Sequence, residues 1–169
     1  MEVKEYIQRQ IAHAHSLYDG VMTGLTEDQL NWLPPGTANT ISATVMHILG
    51  GEDSYIQVFI QGKQSLFEQG GWAAKIGVSA PPRPGQPWDE YKHKTFSLAP
   101  FLAYQQEVRA ATDRYLAQLT PEELDRKVNF AGRERTVGEV LTMLVGHIAS
   151  HSGEIAALKG VQGAKGLPF

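Results

Sequence analysis

The chain has 169 residues, a size that suits one domain with a full apolar core. Lys and Arg number 15 against 18 Asp and Glu, a net charge of −3 with no basic run, which excludes a nucleic-acid footprint, and 42% hydrophobic residues exclude a disordered chain. Cysteine is absent, which removes disulfides, thiolate metal sites, iron–sulfur clusters and a cysteine nucleophile together, and leaves 6 histidines and the carboxylates as donors for any transition metal.

Met1–Gln10 carries Glu2, Lys4, Glu5 and Arg9, so it holds no apolar signal core, and no run of about 18 apolar residues occurs to span a membrane. The cytoplasm is the expected compartment, with neither a membrane nor a nucleic acid as partner. Residues 3–25 carry a helical stripe of Ile7, Ile11, Ala14, Leu17, Tyr18, Val21 and Leu25. Thr26 with Gln29 resembles a capping box for a short helical turn, broken by Pro34-Pro35-Gly36. A second long helix, capped by Asn39 or Thr40, carries Ile41, Val45, Ile48, Leu49, Tyr55, Ile56 and Phe59 and ends at Gly62. Residues 62–97 form a long connection punctuated by Gly70-Gly71, Pro81-Pro82, Pro84-Gly85 and Pro87, with Trp72 and Trp88 inside it. A loop this long is functional or mobile. Its tryptophans either roof a cleft or pin the loop to the bundle or to another subunit.

A third long helix begins around Pro100 and carries Phe101, Leu102, Val108, Thr112, Tyr115 and Leu119. Thr120-Pro121-Glu122-Glu123 opens a short helix that fades by Lys127. Val128-Asn129-Phe130 can be extended, but the run is too short to change the class. Thr136 with Glu139 is a capping box for the last long helix, whose stripe is Val137, Val140, Leu141, Leu144, Ile148, Ile155 and Leu158. The tail is glycine-rich and ends on Leu167, Pro168 and Phe169. Leu25-Thr26-x-x-Gln29-Leu30 parallels Leu119-Thr120-x-x-Glu123-Leu124, a weak internal repeat. The expected architecture is one all-α domain over residues 1–169. It is a four-helix bundle with short extra helical turns and a long loop between the second and third long helices.

His147 and His151 are four apart on the last helix, so both imidazoles can reach one ion. Val140, Leu144, His147, His151, Glu154 and Leu158 follow at helical steps, which aims the pair at the core. Two buried histidines need a partner. A metal ion serves, and so do carboxylates or water. His47 is the best third donor: Ala43, Thr44, Gly50, Gly51 and Ser54 beside it are all small and leave room. Two glycines inside a helix cost about 1 kcal/mol each against alanine, so close packing, a kink or a cavity is to be expected there. His13 and His15 point apart on the first helix, and His93 is flanked by Lys92 and Lys94, so surface positions are expected for these three.

The segments Ile41-Ser42-Ala43-Thr44-Val45-Met46-His47-Ile48-Leu49-Gly50-Gly51-Glu52, Thr136-Val137-Gly138-Glu139-Val140-Leu141 and His147-x-x-x-His151-Ser152-Gly153-Glu154-Ile155 carry a family pattern. The chain resembles the DinB-like superfamily, also called the YfiT-like metal-dependent enzymes, over essentially its whole length. The family pattern is a histidine on the second bundle helix, an acidic residue five positions later and a His-x-x-x-His pair on the last long helix. His47, Glu52, His147 and His151 match it. The family usually has Gln where Glu154 stands, a departure that puts negative charge near the ion or supplies a fourth ligand. On ideal geometry Glu52 points about 140° from His47, which favours a salt bridge or a cap over direct ligation.

Three neutral histidines on a divalent ion (zinc, nickel or iron) leave a coordination position open, as in catalytic sites. The resemblance implies thiol-dependent S-transferase or hydrolase chemistry on a small-molecule substrate, with a low-molecular-weight thiol as cosubstrate in some relatives, and a homodimer. Glu154 and Tyr55 are the candidate catalytic residues. Two other readings are a metal-binding or partner-binding bundle without catalysis, related to stress, and a metal-free bundle that binds a small ligand.

Overall fold

The computed structural model describes residues 1–85, 88–167 and 169. Pro87 of the long connection and Pro168 of the tail lie outside the described residues. Four long helical segments dominate: α1 (Val3–Met22), α3 (Ile41–Asp53), α7 (Leu98–Ala117) and α9 (Val137–Val161). Helix α1 packs on α9, α9 on α3, and α3 on α7. The core between them includes Tyr18, Leu30, Ile41, Met46, Leu49, Phe101, Tyr104, Leu141 and Leu144, all fully buried. The all-α expectation holds, and no described helix is long and apolar enough to cross a membrane.

Caps fix where the helices begin. Thr26 and Thr136 each form a full capping box, and Thr40 and Thr120 accept from the third residue of their helices. Each such cap stabilises its helix by about 1 kcal/mol. The short helices α2 (Glu27–Asn31) and α8 (Pro121–Asp125) sit where the internal parallel places them, each ahead of a threonine-capped long helix. Helix α7 starts at Leu98 rather than Pro100, because Ser97 is the last extended residue. Pro100 still falls in the first turn, where its missing N–H costs nothing.

Two expectations need correction. The second long helix is not one regular α-helix: from Ser54 to Ile60 it continues with π-type hydrogen bonding. The wider turn keeps Ile56, Gln57 and Ile60 inside and leaves Val58 exposed. Secondly, residues 127–136 form a β-hairpin where no convincing strand was expected. Strand β1 (Lys127–Phe130) pairs antiparallel with β2 (Arg133–Thr136), with Phe130 opposite Arg133. The two-residue turn holds Ala131 at φ 51° and Gly132 at φ 84°, and the Asn129 side chain accepts from Gly132 N–H at 2.9 Å. Both turn residues at positive φ match the twist of paired strands. Between the second and third long helices, residues 62–97 contain α4 (Leu66–Gln69), α5 (Trp72–Ile76) and α6 (Asp89–Lys92).

Candidate metal centre

His47 lies one turn before Gly50-Gly51, and those glycines explain how the centre is assembled. A Cβ on Gly50 would lie 2.3 Å from Pro81 Cβ, and one on Gly51 would lie 2.5 Å from His147 Cε1. The first absence lets the 81–82 segment lie on α3. The second lets the His147 ring reach across from α9. Close approach, rather than a kink at the glycines themselves, is what the helix gains for their propensity cost.

The three imidazoles meet between α3 and α9. Ring centroids are 4.7 Å apart for all three pairs, and His47 Nε2 lies 3.1 Å from His147 Nε2. The ligand nitrogens of His47, His147 and His151 all fall within 4.8 Å of one another, so the set could hold a metal ion. Nitrogens on one tetrahedral zinc-like ion, with bonds of about 2.0–2.1 Å, are roughly 3.3–3.4 Å apart.

The outer nitrogens set the tautomers. His47 Nδ1–H donates to the Pro82 carbonyl at 2.8 Å, and His151 Nδ1–H donates to Glu154 at 2.8 Å. In a neutral imidazole the proton is then spent outward and Nε2 keeps its lone pair for the centre. His147 differs: its Nδ1 is buried without a hydrogen-bond partner. Burial pushes its pKa down to about 3, and the neighbouring His47 and His151 push the same way. Burial also lowers His47, partly opposed by the Pro82 hydrogen bond. Three neutral nitrogens of this kind fit a divalent ion, which needs unprotonated imidazole.

The centre sits at the margin of the core, not in it. His47 is buried, while His147 and His151 are half-buried and Glu154 is exposed. The core-facing stripe of α9 runs through Ile148, Ser152 and Ile155, beside the histidines. Glu154 meets the centre through its hydrogen bond to His151. Tyr55 is half-buried with its ring 5.6 Å from His147, and burial raises its hydroxyl pKa. The hairpin adds Phe130, 4.7 Å from both Tyr55 and Phe59. The Trp88 ring lies 4.8 Å from His47, and its Nε1–H donates to Arg83 O. Trp72 instead pins the connection: it is buried, packs on Tyr104 and donates to Glu107 at 2.9 Å.

Glu52 points away from the histidines into the other side of the bundle. It is buried, accepts from Thr112 Oγ1 at 2.7 Å and lies 3.0–3.1 Å from His15 Nε2. His15 is therefore half-buried and tied to Glu52, which corrects its expected surface position. Its partner lies 37 residues away on another helix, so local spacing could not signal it. His13 and His93 are exposed. The contribution of Pro82 was also unreadable, because it comes from a backbone carbonyl.

A helical bundle with three imidazoles converging from two neighbouring helices is the class this fold and centre define. The chain belongs to the DinB superfamily, whose family model matches residues 10–155. Several solved structures share the fold, among them three crystal structures. A conserved protein from Enterococcus faecalis matches with a TM-score of 0.78 at 19% identity, covering 96% of this chain and 99% of that one. A DinB-like protein from Bacillus cereus gives 0.66 at 17% identity, covering 96% and 94%. A DinB-like protein from Bacillus subtilis gives 0.59 at 18%, covering 98% and 96%. No curated protein matches.

Proposed function

We propose that this chain is a metal-dependent enzyme acting on a small molecule, by thiol-dependent S-transfer or by hydrolysis. The observation that carries the reading is the tautomer arrangement: His47 and His151 spend their outer protons on Pro82 and Glu154 and turn bare Nε2 atoms inward beside His147. His47, His147 and His151 would hold a divalent ion (zinc, nickel or iron), which when bound acidifies a water or a thiol at its open position. With no cysteine in the chain, a thiol nucleophile has to come from a low-molecular-weight cosubstrate.

The remaining roles belong to the chain's own groups. Glu154 orients His151 and makes it a stronger donor. Its exposed carboxylate can take up a proton released at the site. The Tyr55 hydroxyl is kept protonated by its raised pKa and serves as a hydrogen-bond donor toward substrate. Trp88 packs against His47 and Tyr55, backed by Phe130, against His147, so aromatic rings border the centre. The family resemblance further supports a homodimer.

Elemental analysis of the purified native protein beside a His147→Ala, His151→Ala double variant tests the metal. Near-stoichiometric ion in the first and none in the second is expected. Equal metal in both, or none in either, overturns the reading. A screen of the loaded protein with low-molecular-weight thiols and electrophiles, and with hydrolysable esters and amides, then separates transfer from hydrolysis. Inactivity in both arms favours a non-catalytic metal-binding bundle.

A further inference from the structure

Beyond α5 the long connection closes on itself before it reaches the centre. Gly77, at φ 85°, ends α5, and polar contacts then draw the two arms of the loop together. Glu90 on α6 accepts from Ser79 N–H at 3.1–3.2 Å and from the Ser79 hydroxyl at 2.7 Å. Lys94 donates to Glu90 and to the Gly77 carbonyl, both at 2.7 Å. The Tyr91 hydroxyl donates to the Ala80 carbonyl at 3.0 Å. Tyr91 is buried and packs on Phe96, which packs on Phe101 of α7, so the base of the loop is fixed to the bundle. Glu90 is the hub of this base. Its single carboxylate answers donors from both arms, and hydrogen bonds to an ionised acceptor are stronger than neutral ones.

The closed loop carries two contacts to His47. Pro81 fills the space that a Cβ on Gly50 would need, and next to it the Pro82 carbonyl accepts from His47 Nδ1–H at 2.8 Å. Two successive prolines have fixed φ, so the direction of that carbonyl is set by where the arm is anchored. The returning arm places the Trp88 ring 4.8 Å from His47 and bonds its Nε1–H to Arg83 O. Ser79 stands three residues before Pro82, and Glu90 two residues after Trp88. The Glu90–Ser79 contact therefore joins the arms just behind the two groups that meet His47.

We propose that Glu90 is a positioning residue of the three-histidine centre. By tying Ser79 to Lys94 it holds the Pro82 carbonyl and the Trp88 ring on His47, and so keeps that imidazole as the Nδ1–H tautomer with Nε2 turned inward. The consequence for metal binding rests on the function proposed above, whereas the consequence for the His47 tautomer does not. Without Glu90 the arms form a looser loop, and the entropy of ordering it is subtracted from the binding of the ion.

The test uses the full chain labelled with ¹⁵N at histidine, metal-free and then titrated with zinc. In the native chain, long-range ¹H–¹⁵N spectra are expected to show His47 as a single Nδ1–H tautomer. In Glu90→Ala the two His47 nitrogens should move toward the averaged shifts of a tautomer mixture. Zinc affinity, read against a chromogenic chelator, should fall about tenfold, the loss typical of groups that orient metal ligands. Ser79→Ala, which removes only the hydroxyl contact, should move both readouts the same way by less. Asp89→Asn, which breaks the Asp89–Lys92 pair on the same short helix, should change neither. A native His47 that is already a mixture, or one as fixed in Glu90→Ala as in the native chain, overturns the proposal. The second result does so even where the melting temperature falls, because Glu90 would then stabilise the loop without positioning His47. An equal response in Asp89→Asn overturns it too. A native chain that takes up no zinc, but whose His47 tautomer depends on Glu90, supports the positioning role and sinks the metal reading alone.

Discussion

A methyl group at position 51 would collide with the ring that completes the centre, 2.5 Å from His147 Cε1. Such overpacking costs about 1–3 kcal/mol. Because the obstacle is the ring of a proposed ligand, Gly51→Ala should weaken metal binding at least tenfold, read by competition with a chromogenic chelator. Unchanged affinity would show that His147 is not held where the metal needs it. His147 also carries a pH signature. Burial takes its pKa from 6.5 down to about 3, so between those values the unfolded chain binds more protons than the folded one. Stability therefore rises with pH across that window and levels off above about 6.5, by on the order of a few kcal/mol at most. In metal-free protein the melting temperature should fall as pH drops below 6.5, and His147→Gln should flatten that fall. A native profile already flat from pH 4 to 7 would contradict a buried neutral His147. At this scale the convergence of the three histidines was legible: His147 and His151 announced themselves by a spacing of four, and His47 by its small neighbours. The tie between His15 and Glu52 was not, because it joins two helices across the bundle.

Between Ser54 and Ile60 the chain departs from α geometry just beyond the histidine that α3 contributes. Widened turns of this kind cost helix energy and recur near functional sites. Here the widening keeps Tyr55 against His147 while Ile56 and Ile60 stay buried. A stripe of Tyr55, Ile56 and Phe59 reads equally well as α-helix, so the periodicity alone could not reveal the change. The hairpin escaped for a different reason. Its turn is Ala131-Gly132, and alanine at φ 51° hides the Asn-Gly signature that such turns usually carry. That strain is also a prediction. An alanine in the left-handed region costs about 1 kcal/mol, and asparagine tolerates it better. Ala131→Asn should therefore stabilise the protein by about 0.5–1 kcal/mol in urea denaturation, with metal content unchanged. A loss of stability would mean that Ala131 makes contacts that outweigh its backbone. The long connection was legible as important but not in its division of labour. Trp72 pins it to α7, while Trp88 and Pro82 belong to the centre.

Across the whole molecule the four long helices are not joined equally. Packing is close from α1 to α9, α9 to α3 and α3 to α7, while α1 and α7 face each other across a groove. Polar ties do the joining there. At the surface Arg109 pairs with Asp19, and in the interior Glu52 on α3 holds His15 of α1 and Thr112 of α7 at once. Lys159 makes a further tie, carrying its ammonium from α9 to the Val21 and Thr23 carbonyls that end α1. These ties differ in kind, and the difference can be measured. Glu52→Ala removes a buried acceptor and leaves His15 and Thr112 without their partner, a loss of about 3–5 kcal/mol. Arg109→Ala breaks a pair whose carboxylate stays half in solvent, side chain 51% exposed, and should cost about 1 kcal/mol or less. Urea denaturation of both variants beside the native chain reads the contrast directly. Equal losses would mean that the groove, rather than the buried carboxylate, is where α1 is held to the rest of the bundle. Glu52 faces away from the three histidines, so any Glu52→Ala protein that remains folded should still bind the proposed metal. Loss of the metal from that folded variant would show that α3 transmits the α1–α7 tie to the centre, a coupling the two separate hydrogen-bond sets do not predict.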